Sequence, residues 1–182
     1  MHFELLNNSA ISALVGAFSA FLLVMFTDYI RSKRVKSDIK KLLKSDQYLV
    51  RDKKDAITNY EKALQENSVQ GDRLTPFSFD EIRQMKLNSI ERFKQKELAV
   101  LQTICFHMES IDKMIDNTAK EAEIIRQNPK DNHEYRLSYI MGLYKDILPN
   151  LDRLNEIIGS YLDKNMDQIL KKKYHQKHYS DR

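Results

Sequence analysis

Arg126 and His133 are the two residues of this chain whose types and spacing are best suited to chemistry, and six residues separate them. A guanidinium stays charged and can stabilise a phosphorane, whereas an imidazole titrates near neutrality and can exchange a proton with a 2′-hydroxyl or a leaving oxygen. Because Pro129 cannot continue a helix and disfavours helical geometry at Asn128, the segment predicts a turn, with Arg126 closing one helix and His133 opening the next. The pair is a candidate for metal-free RNA cleavage. The alternative is structural, with each side chain capping the helix end on which it lies.

Other signatures of catalysis or cofactor binding are missing from the sequence. It has no glycine-rich phosphate loop, no Cys and His set with zinc spacing and no nucleophile elbow. The single cysteine, Cys105, lies in the apolar stretch "LQTICFHM" and is interpreted as a small buried hydrophobe in a reducing compartment. We therefore expect neither a metal ion nor a cofactor.

The C-terminal end is basic and partly aromatic. Phosphate contacts and base stacking by such a tail make RNA a candidate partner, but a solvated, flexible end is the interpretation we favour. The residues concerned are Lys171, Lys172, Lys173, Tyr174, His175, Lys177, His178 and Tyr179.

A long uncharged segment near the N-terminus predicts a membrane-spanning helix. No ionisable side chain occurs from Ser9 to Thr27, and this run would cover about 28 Å as a helix, close to the thickness of a bilayer core. Only His2 and Glu4 precede it, whereas a basic cluster follows, which is the reverse of a signal peptide and places the remainder in the cytoplasm. This membrane-proximal basic cluster consists of Arg31, Lys33, Arg34 and Lys36.

This topology divides the chain into four parts and makes the lipid bilayer its first partner. The alternative for the apolar segment is a core helix of a soluble domain, although such helices seldom contain so many uncharged residues in a row. The parts are a short extracytoplasmic N-terminus (1–8), a transmembrane helix (9–30), a cytoplasmic helical bundle (31–173) and a basic flexible tail (174–182).

The transmembrane segment carries two further patterns. Asn8, Ser12 and Ser19 fall near one line of the helix, and Leu22 and Phe26 continue that direction, together with Leu23, as a hydrophobic constriction. These residues would line a pore if several helices formed a ring, and a plain anchor is the alternative because serines in spanning helices often bond their own backbone. Small residues suited to close helix packing lie beside the line: Ala13, Gly16, Ala17 and Ala20.

The rest of the sequence predicts long helices. Only four Gly and three Pro occur, and charged residues make up 31% of the chain. Leu43, Val50, Ile57 and Leu64 recur every seven residues on a helix that continues from the membrane segment, and this seam is expected to pack either within the bundle or between subunits.

Three more helices are expected after the break at Gly71 and Pro76. Ser78 followed by Glu81 predicts a capping box that opens one long helix to Ile125, a further helix starts near Glu134, and Pro149 marks a break or kink before the last helix. The fold class is therefore all-α, with a single transmembrane helix continuing into an antiparallel bundle of long helices.

A helical bundle in which Arg and His flank a helix junction, with four to six residues between them, resembles the HEPN domains. Many HEPN proteins are prokaryotic ribonucleases that assemble one active site from two subunits. With an N-terminal anchor and so short a chain, the whole resembles the small membrane accessory proteins of type VI-B CRISPR systems. That resemblance implies a homo-oligomeric pore in the bacterial inner membrane, a ring of about eight copies, that strengthens antiphage defence once an RNA-guided effector has found phage RNA.

The residues and this resemblance together predict three candidate functions, and the resemblance favours the first. The first is an oligomeric pore that depolarises the membrane. The second is a membrane-tethered ribonuclease that uses Arg126 and His133, and the third is a passive scaffold that brings a soluble partner to the membrane.

Overall fold

The structure is a computed structural model that describes residues 2–66, 68–128 and 133–165; within these ranges the side chains of residues 2–10 and of His133 are not described. The described residues form helices and no strand, which confirms the all-α prediction. The helices are α1 (His2–Gln65), α2 (Phe79–Leu87), a short 3₁₀ turn (Ile90–Arg92), α3 (Gln95–Gln127) and α4 (His133–Leu162). The chain divides into two compact units, Met1–Asp38 and Ile39–Arg182, and α1 contributes to both.

The apolar seam of α1 belongs to the core of the second unit. Leu43 and Ile57 are 0% exposed, Val50 is 2% exposed and Leu64 is 7% exposed. These side chains therefore pack within the bundle of a single chain, and their burial does not require another subunit.

The direction of α4 relative to α1 and α3 is shown by two contacts with each of these helices. On α1, the Gln47 amide lies 3.4 Å from the Asn155 side-chain oxygen, and the rings of Tyr60 and Tyr144 lie 6.4 Å apart, so position along α1 rises as position along α4 falls. On α3, Arg136 of α4 pairs with Glu121 at 2.5 Å, and Tyr161 lies near Glu97. Hence α4 is antiparallel to both α1 and α3.

It follows that α1 and α3 run in the same direction, whereas consecutive long helices were expected to be antiparallel. Residues 68–78, here called the return segment, account for the difference because they carry the chain back along the bundle before α2 begins. Gly71 lies beside Ala122 in the last turns of α3, whereas Phe77 reaches Asp112 near its middle.

The long helix expected from Ser78 to Ile125 is interrupted, and its expected capping box is wrong. The Ser78 side chain does not cap α2, because its backbone N–H and its hydroxyl both donate to Asp46. After α2, Phe93 is extended and buried (8% exposed), and α3 starts afresh where the Glu97 carboxylate accepts the N–H of Lys94 at 2.9 Å.

The sequence predicted a break or a kink at Pro149, and there is no break, since α4 continues through this residue. Proline removes one helical hydrogen bond, but a buried apolar face on both sides of Pro149 offsets that loss. Asn150 also donates from its amide to the carbonyl of Asp146 at 2.8 Å. The buried face consists of Ile140, Tyr144, Ile147, Leu151, Leu154 and Ile158.

Gly71→Ala tests how closely the return segment packs on α3. An added Cβ would lie 2.8 Å from the Ala122 Cβ and 3.4 Å from the Thr118 carbonyl oxygen, so we expect the free energy of unfolding to fall by about 1 to 3 kcal/mol. Thermal unfolding of the full chain in detergent, followed by circular dichroism, measures the change.

Gly142→Ala is the matched control, because Gly142 lies inside α4 with no heavy atom within 4 Å of an added Cβ. Alanine is more favourable than glycine inside a helix, so the free energy of unfolding of this variant should rise by up to about 1 kcal/mol. A Gly71→Ala protein as stable as the unchanged chain would contradict the close packing.

Candidate functional site

The apolar part of α1 is exposed on all sides within its unit. It is the one helix of the described residues that is long and apolar enough to cross a membrane, and none of its apolar window is buried. Leu22 is 49% exposed and Phe26 is 62% exposed, and Ser12 and Ser19 are also exposed. The segment is therefore no part of the bundle core, which disfavours the core-helix alternative. Asn8 belongs to α1, but its side chain lies outside the described residues.

The hydroxyl groups of this segment differ in their bonding. Thr27 donates its hydroxyl to the carbonyl of Leu23 one turn earlier, the pattern expected of a hydroxyl that must be satisfied in lipid. No such bond occurs for Ser19 within the described residues, whereas the carbonyl one turn before Ser12 is that of Asn8, whose contacts lie outside the described part of the chain. The Ser19 hydroxyl is therefore available to water or to a neighbouring helix, and the Ser12 side chain is exposed on the same side of the helix.

The small residues beside these serines leave an open surface. An added Cβ on Gly16 would meet nothing within 4 Å, and Ala13, Ala17 and Ala20 are exposed. Because small side chains let helix backbones approach closely, this surface suits packing against another spanning helix.

The basic cluster follows within the same helix. Arg31, Lys33 and Arg34 are exposed, whereas Lys36 is half-buried and has a partner of its own. The predicted basic tail (174–182) and Lys171 to Lys173 lie outside the described residues.

Arg126 and His133 occupy the helix ends that the sequence predicted. Arg126 lies in the last turn of α3, is 48% exposed and has its guanidinium 3.9 Å from the Asp72 carboxylate of the return segment. His133 is the first residue of α4, and its side chain is not described. The observed contact of Arg126 is thus an exposed, weak ion pair that ties the return segment to α3.

Sequence reasoning missed a buried polar cluster, here called the clasp, that consists of Asp46, Lys53, Phe77, Ser78 and Asp112. The Asp46 carboxylate accepts the Ser78 N–H at 3.1 Å and the Ser78 hydroxyl at 3.2 Å. The Asp112 carboxylate accepts the Phe77 N–H at 2.8 Å and the Lys53 ammonium at 2.8 Å. Lys53 also lies over the Phe77 ring, 4.5 Å from its centroid. Carboxylates from α1 and α3 therefore hold two consecutive backbone N–H groups of the return segment.

Asp46 is the member of the clasp whose burial is least compensated by hydrogen bonds. It is 0% exposed, and its second oxygen is buried with no hydrogen-bond partner. Burial raises the pKa of Asp46 to about 6, and the nearby charges of Glu81 and Asp112 act in the same direction, against the two bonds from Ser78. Lys53 is the cation of the clasp, but its ammonium is bonded to Asp112 and not to Asp46.

These groups have the character of a structural cluster. No set of three or more His, Cys, Asp or Glu side chains within the described ranges could hold a metal ion. The open cavity beside the clasp is lined by Arg73, Leu74, Pro76, Asp112, Ile115 and Asp116. Its charges are mixed, and it holds no nucleophile paired with a base.

Comparisons of the chain with protein-family models, with curated proteins and with solved structures found no significant match.

Asp46→Asn should remove a pH dependence from the stability of the bundle. The pKa of Asp46 is about 6 in the folded chain against an ordinary 3.8, so between these pH values the folded chain holds a proton that the unfolded chain releases. Stability from this group is therefore full below pH 3.8, declines as the pH rises from 3.8 to about 6, and is lost above that. Asparagine keeps the acceptor for Ser78 without the charge, so the stability of the variant relative to the unchanged chain should be higher at pH 7 than at pH 5 by about 1 to 1.5 kcal/mol.

Thermal unfolding of the full chain in detergent between pH 5 and pH 7.5 measures this difference. The lowered pKa of Glu109, which is caused by Lys113 and Arg83, affects stability only below its ordinary value of 4.5. Asp116→Asn, on the exposed side of α3, should keep the pH dependence of the unchanged chain. An Asp46→Asn protein with that same dependence would show that Asp46 is not the group responsible.

Proposed function

We propose that the chain is one subunit of an oligomeric pore that depolarises the bacterial inner membrane and strengthens RNA-targeting CRISPR defence. The observation that supports the pore is the exposed apolar helix with the exposed Ser12 and Ser19 side chains on one side. The link to an RNA-guided effector rests on the resemblance described above, as does the HEPN-like character of the bundle.

The distribution of side chains around α1 supports a ring over a lone anchor. Polar groups exposed to lipid lack hydrogen-bond partners, and the cost falls if that face lines a water-filled space. The adjacent small-residue surface gives neighbouring helices a place to pack, and closed symmetry is the usual form of homo-oligomers. Leu22 and Phe26 would then form a hydrophobic constriction, which gates by excluding water.

The orientation follows from charge. Arg31, Lys33 and Arg34 come directly after the apolar segment, and such residues remain on the cytoplasmic side of a spanning helix. The bundle would therefore be cytoplasmic and the N-terminus outside. The bundle has its own buried core, so its fold does not depend on the pore.

A membrane-tethered ribonuclease is the second candidate, and the positions of Arg126 and His133 at adjacent helix ends favour it. The pairing of Arg126 with Asp72 supports the structural alternative, because a guanidinium engaged by a carboxylate is a weaker partner for a phosphate. A passive scaffold would require neither the serine line nor this pair.

Ser12→Leu with Ser19→Leu should abolish depolarisation if these residues line the pore. The measurement follows a voltage-sensitive dye in cells that express the chain together with a type VI-B effector and its target RNA. Removing both hydroxyl groups makes the lumen apolar, so we expect the loss of potential to disappear at unchanged membrane abundance.

Leu14→Ile with Phe21→Leu changes two residues on the opposite side of the same helix and should leave depolarisation intact. An unchanged membrane potential alongside intact antiphage protection would contradict the pore. RNA cleavage by the purified chain that is lost on Arg126→Ala with His133→Ala would instead establish the ribonuclease.

A further inference from the structure

Positive charge is concentrated in two short parts of this chain, residues 31–44 and the C-terminal end at 171–182. Residues 31–44 contain seven Lys or Arg and one Asp, whereas the whole chain has a net charge of +4. The remainder of the chain is therefore net negative. An anionic surface would attract residues 31–44 far more strongly than residues 45–170, which contain 18 Lys or Arg and 22 Asp or Glu.

The first residues of the segment lie at the depth of lipid head groups if α1 crosses a bilayer. Arg31 to Arg34 follow Thr27 by four to seven residues, or about 6 to 10 Å along the helix axis. The polar layer on each side of a bilayer core is about 5 to 8 Å thick. Side chains on a helix lean towards its N-terminus, so these long side chains point back towards that layer.

The neighbouring aromatic residue supports the same depth. Tyr29 is 64% exposed and lies two residues before Arg31, and tyrosines are enriched at the level of the head groups. Arg31, Lys33 and Arg34 are likewise exposed, so their charges face the surroundings of the helix.

We propose that Arg31, Lys33 and Arg34 form a binding surface for the phosphates of anionic phospholipids. The surface rests on the proposed function only in that α1 must cross the bilayer; it does not require a pore. Guanidinium groups bind phosphate through two parallel hydrogen bonds, and an ammonium adds a mobile point charge. An apolar span directly before these residues favours a lipid over a nucleic acid, because the head groups are already within reach.

Residue-specific amine labelling of the full chain in vesicles tests the surface. One set of vesicles contains phosphatidylcholine alone and the other contains added phosphatidylglycerol, and mass spectrometry reports the acetylation of each lysine. Each Lys or Arg near an anionic surface gains about 1 kcal/mol of attraction, so contact between its charge and the lipid phosphates is favoured about fivefold. We expect Lys33 to be labelled several-fold more slowly in the anionic vesicles and to recover in high salt.

Lys145 on α4 is the internal control, because it is exposed and far along the chain from the cluster. Its labelling should be equal in both kinds of vesicle. Equal labelling of Lys33 in both would overturn the proposal. Protection of Lys33 in phosphatidylcholine vesicles by inorganic phosphate or by an RNA oligomer would also overturn it, because the ligand would then not be a lipid.

A charge-matched pair of variants gives a second readout. Arg31→Gln, Lys33→Gln and Arg34→Gln together should lower the anionic lipid that co-purifies with the chain by several-fold. Lys120→Gln, Lys145→Gln and Lys164→Gln remove the same charge elsewhere and should not lower it. Extraction at alkaline pH verifies that both proteins remain inserted, and equal lipid contents in the two would refute the surface.

The result is independent of the pore. If the chain does not depolarise membranes but Lys33 is still protected in anionic vesicles, the pore is refuted and the lipid-binding surface is supported. A chain that depolarises membranes without that protection would do the reverse.

Discussion

The architecture of the bundle depends on two carboxylates that hold consecutive backbone N–H groups. Asp112 of α3 accepts the N–H of Phe77, and Asp46 of α1 accepts the N–H of Ser78. A segment without secondary structure that lies against a core must have its backbone donors satisfied. These two bonds satisfy the last two N–H groups of the return segment, and they allow α3 to start at the same end of the bundle as the second half of α1.

The two carboxylates differ in the free-energy cost of their burial. Lys53 and Asp112 form a largely buried pair, with side-chain exposures of 3% and 14%, and the additional bonds and the Phe77 ring compensate for the water that they lose. Asp46 has no cation bonded to it, and one of its oxygens is unpartnered. Any other register of α1 would bury these charges without their partners, so the cluster restricts how the helices can pack.

Periodicity made most of the helices predictable, and its limits explain the errors. The buried Leu43, Val50 and Ile57 and the uncharged segment before them follow directly from residue spacing. The clasp had a signal in the same repeat, since Asp46 and Lys53 each lie three residues after a seam residue, at positions that also face the core. A polar residue at such a position indicates a buried partner, but only the fold shows which one.

The direction of α3 and the break after α2 were beyond sequence reasoning for a physical reason. Both depend on the return segment, whose backbone bonds to distant side chains carry no local pattern. For the functional residues, the helix-end positions of Arg126 and His133 follow from Pro129 and the apolar spacing. Whether Ser12 and Ser19 face water depends on neighbouring subunits, which a single chain does not specify.

Substituted-cysteine accessibility tests the pore most directly. The only native cysteine, Cys105, is 3% exposed, and burial raises the pKa of its thiol, so it contributes little background. Single variants Ser12→Cys and Ser19→Cys are compared with Leu14→Cys and Phe21→Cys, on the opposite side of α1, using a membrane-impermeant thiol reagent.

The account predicts rapid labelling at positions 12 and 19 and slow labelling at positions 14 and 21. Equally slow labelling at all four positions, in membranes where the chain depolarises the cell, would contradict a pore lined by this face of α1.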